Sequence, residues 1–261
     1  MRGLRLSRHA ALVIALAATA VGNVRSQMGT LANGSKTVTL NDSLKMRLEI
    51  DQSRSALQPT FICLPMMGNS TTSYEPLLHK LVAVVAADTT HTFQLPRLIR
   101  MDLRGHGQSN VLGSDTVNFR TMNESEFAKY PYDAKHALEQ LFRDFPGQID
   151  TANLTVIGAS IGANTAAMLT QLMPNIKRLV LLSPGINYKG LQPAEAITSF
   201  QGEILMVASQ GDEYSYNSVR EMARLNSDHV TLMIFEGDAH GTDMINSNPQ
   251  AMQALVDWLL K

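Results

Sequence analysis

Two rhythms of apolar residues succeed one another along the chain. KTVTL (36–40) and LKMRLEID (44–51) place apolar residues at every second position, as half-buried strands do, and the turn-forming NDS separates them. They predict an antiparallel pair at a sheet edge. TFICLP (60–65) is apolar without alternation and is followed by Gly68, which reads as a buried strand; SYEPLLHKLVAVVA (73–86) then has helical spacing with its proline near the start. From there the two rhythms take turns.

RLIRMDL (97–103) predicts the next strand, followed by a glycine-rich turn and a long polar passage over 110–130. DAKHALEQLFRDF (133–145) puts Ala134, Ala137, Leu138, Leu141 and Phe142 along one helical face. NLTVIGAS (153–160), IKRLVLLSP (176–184), GEILMVAS (202–209) and HVTLMIFEG (229–237) predict strands. IGANTAAMLTQL (161–172), AEAITSF (194–200), SYNSVREMARL (215–225) and PQAMQALVDWLL (249–260) predict the helices between and after them. Helices of this length between strands imply parallel pairing with right-handed crossovers. The fold class is therefore α/β: five or six parallel strands covered by helices on both faces, behind an antiparallel lead.

The first residues follow a different logic. MRGLRLSRH carries Arg2, Arg5 and Arg8, the apolar run AALVIALAATAV follows, and Ala18 and Ala20 flank Thr19. This pattern predicts a secretory signal peptide over 1–20, then a polar lead over 21–35 and a single domain over 36–261. The run is too short to anchor the mature chain across a bilayer, so no stable membrane span is expected. Removal of the leader takes three arginines away and leaves a mildly acidic protein. Cys63 is the only cysteine, so no internal disulfide forms, and export without disulfides points to a bacterial periplasm or the extracellular medium. A cytoplasmic protein, or one anchored by an uncleaved leader, is the alternative.

With 261 residues, 44% hydrophobic and 17% charged, the composition is that of an ordinary globular chain, and a net charge of -1 offers no field to attract nucleic acid. GASIGA (158–163) is glycine-rich but lacks the G-x-G-x-x-G spacing and the first-strand position of a dinucleotide site. No phosphate-binding loop or HExxH is present, so neither cofactor nor metal is expected.

What GASIG does satisfy is G-x-S-x-G between a strand and a helix. A nucleophile at the apex of a sharp turn needs small neighbours two positions away on each side, and the turn frees backbone N–H groups to meet an oxyanion. Ser160 is thus a candidate nucleophile. Serine needs a base, and His240 lies just past an apolar strand between Gly237 and Gly241. The imidazole needs an orienting carboxylate at another strand end, which Asp212 provides, with Glu213 and Asp238 as rivals.

On these residues the chain resembles the α/β-hydrolases over about residues 40–261: GASIG at the elbow, GDAHG around the histidine, MDLRGHGQS (101–109) after a strand, and the chain order Ser160, Asp212, His240. The resemblance is to the serine-nucleophile, esterase- or lipase-like branch without a large cap. It implies that Asp102, Arg104, Gly105, His106, Gly107 and Ser109 shape a turn beside the site, with His106 structural. It also implies an oxyanion hole from the backbone N–H groups of Met67 and Ile161. Pro65 and Met66 stand where the family usually has His-Gly, which leaves the loop conformation open.

The expected activity is hydrolysis of a small-molecule carboxylic ester through an acyl-enzyme. A peptidase or thioesterase of the same fold is the near alternative, and a non-catalytic envelope protein that kept the scaffold is the distant one.

Overall fold

The computed structural model describes residues 34–51 and 58–261; the expected signal peptide and nearly all of the polar lead lie outside them. One sheet of ten strands organises the rest. Its strands are β1 (Ser35–Thr39), β2 (Leu44–Ile50), β3 (Thr60–Leu64), β4 (Arg97–Met101), β5 (Val111–Leu112), β6 (Asp115–Thr116), β7 (Leu154–Ala159), β8 (Ile176–Leu182), β9 (Glu203–Ser209) and β10 (Val230–Phe235). The spatial order β10-β9-β8-β7-β3-β4 is parallel throughout, and β2 then runs antiparallel to β4 with β1 antiparallel to it. This is the mostly parallel α/β-hydrolase sheet with an antiparallel lead that the residue pattern predicts.

The apolar runs are continuous because both sheet faces are covered, and side chains still alternate between them. Ile62, Leu64, Val156, Leu179, Leu181, Ile204 and Met206 enter one core, while Phe61, Cys63, Ile157, Val180, Leu182, Leu205 and Val207 enter the other. The eight α-helices among the described residues are α1 (Glu75–Ala87), α2 (Glu124–Phe127), α3 (Tyr130–Asp144), α4 (Ile161–Leu169), α5 (Ala194–Ser199), α6 (Glu213–Met222), α7 (Thr242–Ser247) and α8 (Pro249–Leu259). Helices α3, α4, α5 and α6 cover the first face; α1, α7 and α8 cover the second. Cys63 is fully buried in the second core, and burial pushes its thiol far up, so it is a packing residue. Among the described residues no helix is long and apolar enough to cross a membrane.

Three local features depart from the sequence pattern. Helix α3 begins at Tyr130, with Pro131 near its start where the missing N–H costs nothing. The polar passage over 110–130 contains the small β5–β6 hairpin, a 3-10 turn at Phe119–Thr121 and the capped helix α2. Strand β10, strongly apolar in sequence, is the sheet edge, and its Leu232 and Ile234 are exposed.

Asp51, where β2 ends, is buried beside Arg100, 3.3 Å from its guanidinium, and one of its carboxylate oxygens has no partner. Burial outweighs the guanidinium and raises the carboxyl to about 6. A carboxyl raised on folding holds its proton more tightly in the native state. Its contribution is therefore complete below the unfolded value and fades as pH climbs through about 6. Urea unfolding at pH 4 and pH 7 should show wild type losing more stability than Asp51→Asn across that interval; equal losses would refute the assignment.

Candidate active site

The turn from β7 into α4 is made by one residue. Ser160 has φ 54° and ψ -120°, a strained conformation for a side chain with a Cβ, and its N–H donates to Leu182 O at 2.8 Å. The bend is so tight that a Cβ on Gly158 would strike the Gly162 carbonyl oxygen, and one on Gly162 would strike the carbonyl oxygens of Leu64 and Pro65. The two glycines therefore let the start of α4 press against both its own strand and the end of β3. Ser160 is almost wholly buried.

The carboxylate and the imidazole come from the ends of β9 and β10. Asp212 opens α6, but its side chain makes no capping bond to that helix. Instead its Oδ2 lies 2.6 Å from Nδ1 of His240. Of the other two carboxylates considered, Glu213 and Asp238 are exposed and neither bonds the ring. His240 is half-exposed, and Gly241 and helix α7 follow it at once, which closes the tight loop between Gly237 and Gly241.

Backbone bonds from neighbouring strand ends hold the histidine loop. Gly211 N–H donates to Gly237 O at 2.7 Å, Ser209 Oγ donates to Ala239 O at 2.6 Å, and Gly241 N–H donates to Ser183 Oγ at 2.9 Å. Ser183, buried at the end of β8 with φ 50°, and Ser209 carry no motif and were invisible to pattern reading.

No hydrogen bond joins the Ser160 hydroxyl to the His240 ring in this conformation, and the Tyr188 ring stands edge-on to that imidazole with centroids 6.3 Å apart. Tyr188 also lies outside any motif. Burial is the main reason its phenol is pushed up to about 12; the charge of Asp212 adds to this, while hydrogen bonds with Ser215 and Ser160 oppose it.

The Met67 and Ile161 N–H groups donate to no protein acceptor, and Ile161 is the first residue of α4, where helical N–H groups are unpaired by construction. Met66 does not take a left-handed conformation; Gly68 does, at φ 84°. The loop thus finds its turn two residues later than the His-Gly pattern would place it, which removes the steric objection to Met66. Met66 instead packs against Gly241, where an added Cβ would come within 2.8 Å of its sulfur.

The DLRGHGQS turn braces this loop from outside. Asp102 accepts from Thr71 N–H and Gln108 N–H, each at 2.8 Å, and burial raises its carboxyl despite those bonds. Arg104 is buried between Asp133, which it grips through Nε and Nη2 at 2.7 and 2.8 Å, and Asp42. His106 donates from Nδ1 to Arg104 O at 3.0 Å and stacks on Phe119 with ring centroids 4.3 Å apart; burial lowers its pKa, which keeps it neutral.

Phe119 reaches Gly68, and Glu124 reaches Gly190, so the 110–130 segment crosses from the oxyanion loop toward the loop after β8. Beyond the oxyanion loop lies a polar cleft of about 450 Å³ lined by Asn69, Ser70, Thr72, Ser73, Asp243 and Asn246.

Known proteins can now be set beside this geometry. A family model described as serine aminopeptidase, S33, matches residues 96–210. No curated protein sequence matches the chain. Among solved structures, the esterase Pf2001 of Pyrococcus furiosus is similar with a TM-score of 0.65 and 17% identity over 89% of this chain and 94% of that one. A carboxylesterase structure from Nitrososphaera gargenis gives a TM-score of 0.66 and 11% identity over 86% of this chain and 97% of that one. Est1E of Butyrivibrio proteoclasticus, solved with ferulic acid, gives 0.66 and 14% over 86% and 98%. At these identities the likeness establishes the fold.

The close approach at the elbow is directly testable. Gly162→Ala should cost about 2 kcal/mol or more in urea unfolding, as overpacking against backbone does, because neither carbonyl can yield without moving β3. A loss within 0.5 kcal/mol, roughly the scatter of surface substitutions, would show that the contact relaxes.

Proposed function

We propose that this chain, which has the α/β-hydrolase fold, is a serine hydrolase that cleaves carboxylic esters, with Ser160 as nucleophile, His240 as base and Asp212 as orienting acid. The observation that carries this reading is the 2.6 Å bond between His240 Nδ1 and Asp212 Oδ2, beside a serine held at a strained apex.

An ionised carboxylate only accepts hydrogen bonds, so Nδ1 must carry the ring proton and Nε2 keeps its lone pair. Rotation of the Ser160 side chain about χ1 turns its hydroxyl toward Nε2. The Oγ electron pair then forms a bond to the ester carbon as its proton passes to His240. Negative charge gathers on the carbonyl oxygen, where the N–H groups of Met67 and Ile161 receive it. His240 returns the proton to the departing alcohol, and a water molecule repeats the sequence to release the acid.

The esterase names of similar structures support an ester substrate, and the match to the serine aminopeptidase model supports a peptide as the second reading. The short path from Ser183 to the start of β9 leaves no room for a large cap, which favours a small acyl group.

Purified protein should react with a fluorophosphonate probe and release p-nitrophenol from acetate or butyrate esters, and Ser160→Ala should abolish both. Comparison with aminoacyl p-nitroanilides separates the esterase from the peptidase. Labelling that survives in Ser160→Ala would remove the serine from the mechanism. Asp212→Asn presents the wrong hydrogen-bonding face to Nδ1 and should lower kcat by about 10⁴-fold. A loss below tenfold in steady-state kinetics would assign the carboxylate another role.

A further inference from the structure

We propose that Tyr188 is a further catalytic residue of this site, its phenolic O–H serving as a hydrogen-bond donor to the alcohol oxygen that leaves Ser160 chemistry and to the water oxygen that enters. The inference deepens the serine-hydrolase reading and rests on it.

The position of Tyr188 is built rather than incidental. Tyr188 and Leu191 exchange backbone hydrogen bonds of 3.2 and 2.9 Å, and Lys189 and Gly190 between them both have positive φ, at 54° and 86°. This is the tight two-residue hairpin turn. Its feet are clamped to the nucleophile's own helix: Asn164, fully buried one turn after Ser160, donates from Nδ2 to Gly185 O and to Leu191 O, each at 2.8 Å, and accepts from Gly185 N–H at 3.1 Å. The Tyr188 ring meets Tyr214 edge-on at 5.4 Å and stands at 87° to the His240 ring, with centroids 6.3 Å apart. Both tyrosine rings close on Gly185, where an added Cβ would come within 2.7 Å of the Tyr188 ring.

The hydroxyl so placed lies 3.0 Å from Ser215 Oγ and donates to Ser183 O at 3.4 Å, and both Ser160 and Asp212 bear on its ionisation. The sheet order says which side of the nucleophile this is. Ser160 ends β7; the Met67 donor follows β3 on one flank, while Tyr188, Asp212 and His240 follow β8, β9 and β10 on the other. Tyr188 thus comes from the same flank of the nucleophile as His240, opposite the strand that leads to Met67. Burial keeps the phenol protonated at any pH near neutrality, so it acts as a donor and not as a nucleophile.

In acylation the Ser160 Oγ–carbon bond forms, the carbon–alcohol oxygen bond breaks, and the electron pair of that bond stays on the alcohol oxygen. That oxygen takes its proton from His240 Nε2. Tyr188 keeps its own proton and shares it as a hydrogen bond with the charge on that oxygen. In deacylation the water oxygen occupies the same place.

Leaving-group dependence tests this, because a purely structural tyrosine would not alter it. Tyr188→Phe retains the ring against His240 and Tyr214 and removes only the hydroxyl. With the full chain, kcat/KM should fall about 30-fold for ethyl butyrate, the effect of one hydrogen bond to a charged group, and only about threefold for p-nitrophenyl butyrate, whose phenolate departs with little help. Ser215→Ala, which keeps the phenol and removes its partner, should shift the ratio of the two esters in the same direction by less. An unchanged ratio in both variants overturns the role of Tyr188, whether the losses are equal or absent. Fluorophosphonate labelling separates the two layers of inference. Wild type that neither labels nor turns over either ester overturns the hydrolase reading, whereas labelling and turnover with an unmoved ratio overturn the role of Tyr188 alone.

Discussion

The chain must leave β7 and enter α4 within the single residue Ser160, and the candidate site depends on that constraint. A residue with a Cβ is held at positive φ because its neighbours leave no other path: Gly158 and Gly162 bring strand, helix and the end of β3 into backbone contact. The first N–H of α4, at Ile161, has no acceptor among the described residues, and neither has the N–H of Met67 in the loop after β3. Strain at one position thus produces both a raised side chain and a polar cradle next to it. Asn164 extends the effect one turn further, since its amide fixes the hairpin that carries Tyr188. The short segment from Ser160 to Asn164 thus holds the strained serine, supplies one free N–H and fixes the hairpin of Tyr188.

Around that segment the structure divides labour between the two sides of β7. Toward β4, the buried Asp102 and the Arg104–Asp133 pair hold the turn that supports the loop after β3. Breaking such a pair leaves a buried charge without its partner, which is far costlier than never having built it. Toward β10, uncharged hydroxyls do the joining: Ser183 and Ser209 tie the histidine loop to strands other than its own. Charges are kept where they brace and neutral groups where they touch the reacting side, apart from Asp212.

The sheet was readable because hydrophobic periodicity and burial on both faces are properties of short stretches. Every strand of the parallel core falls within a segment that its apolar content marks. The places where Ser160, Asp212 and His240 stand were legible for the same reason, being strand ends flanked by glycine. What stayed hidden depends on partners distant in sequence. Tyr188 reads as one aromatic in a polar loop until the fold sets its ring edge-on to His240. Ser183 and Ser209 read as the last letters of strands, and Met66 as a departure from pattern until Gly68 supplies the left-handed turn. Helix α7 is short and polar, without the capping signal that opens α8 at Asn248, and so gives no periodic trace.

Strand β10 lies at the rim of the sheet with Leu232 and Ile234 facing solvent, yet it delivers His240. In an isolated edge strand the residues just past its end would be the first to fray. Here the loop beyond the strand is bonded to Ser183, Ser209 and Gly211, which close the better protected β8 and β9. Amide exchange should therefore run backwards along this stretch, with Gly241 slower than the outward-facing amides of the strand that leads to it. The imidazole's persistence is set by the interior of the sheet, and wear at the rim leaves it in place.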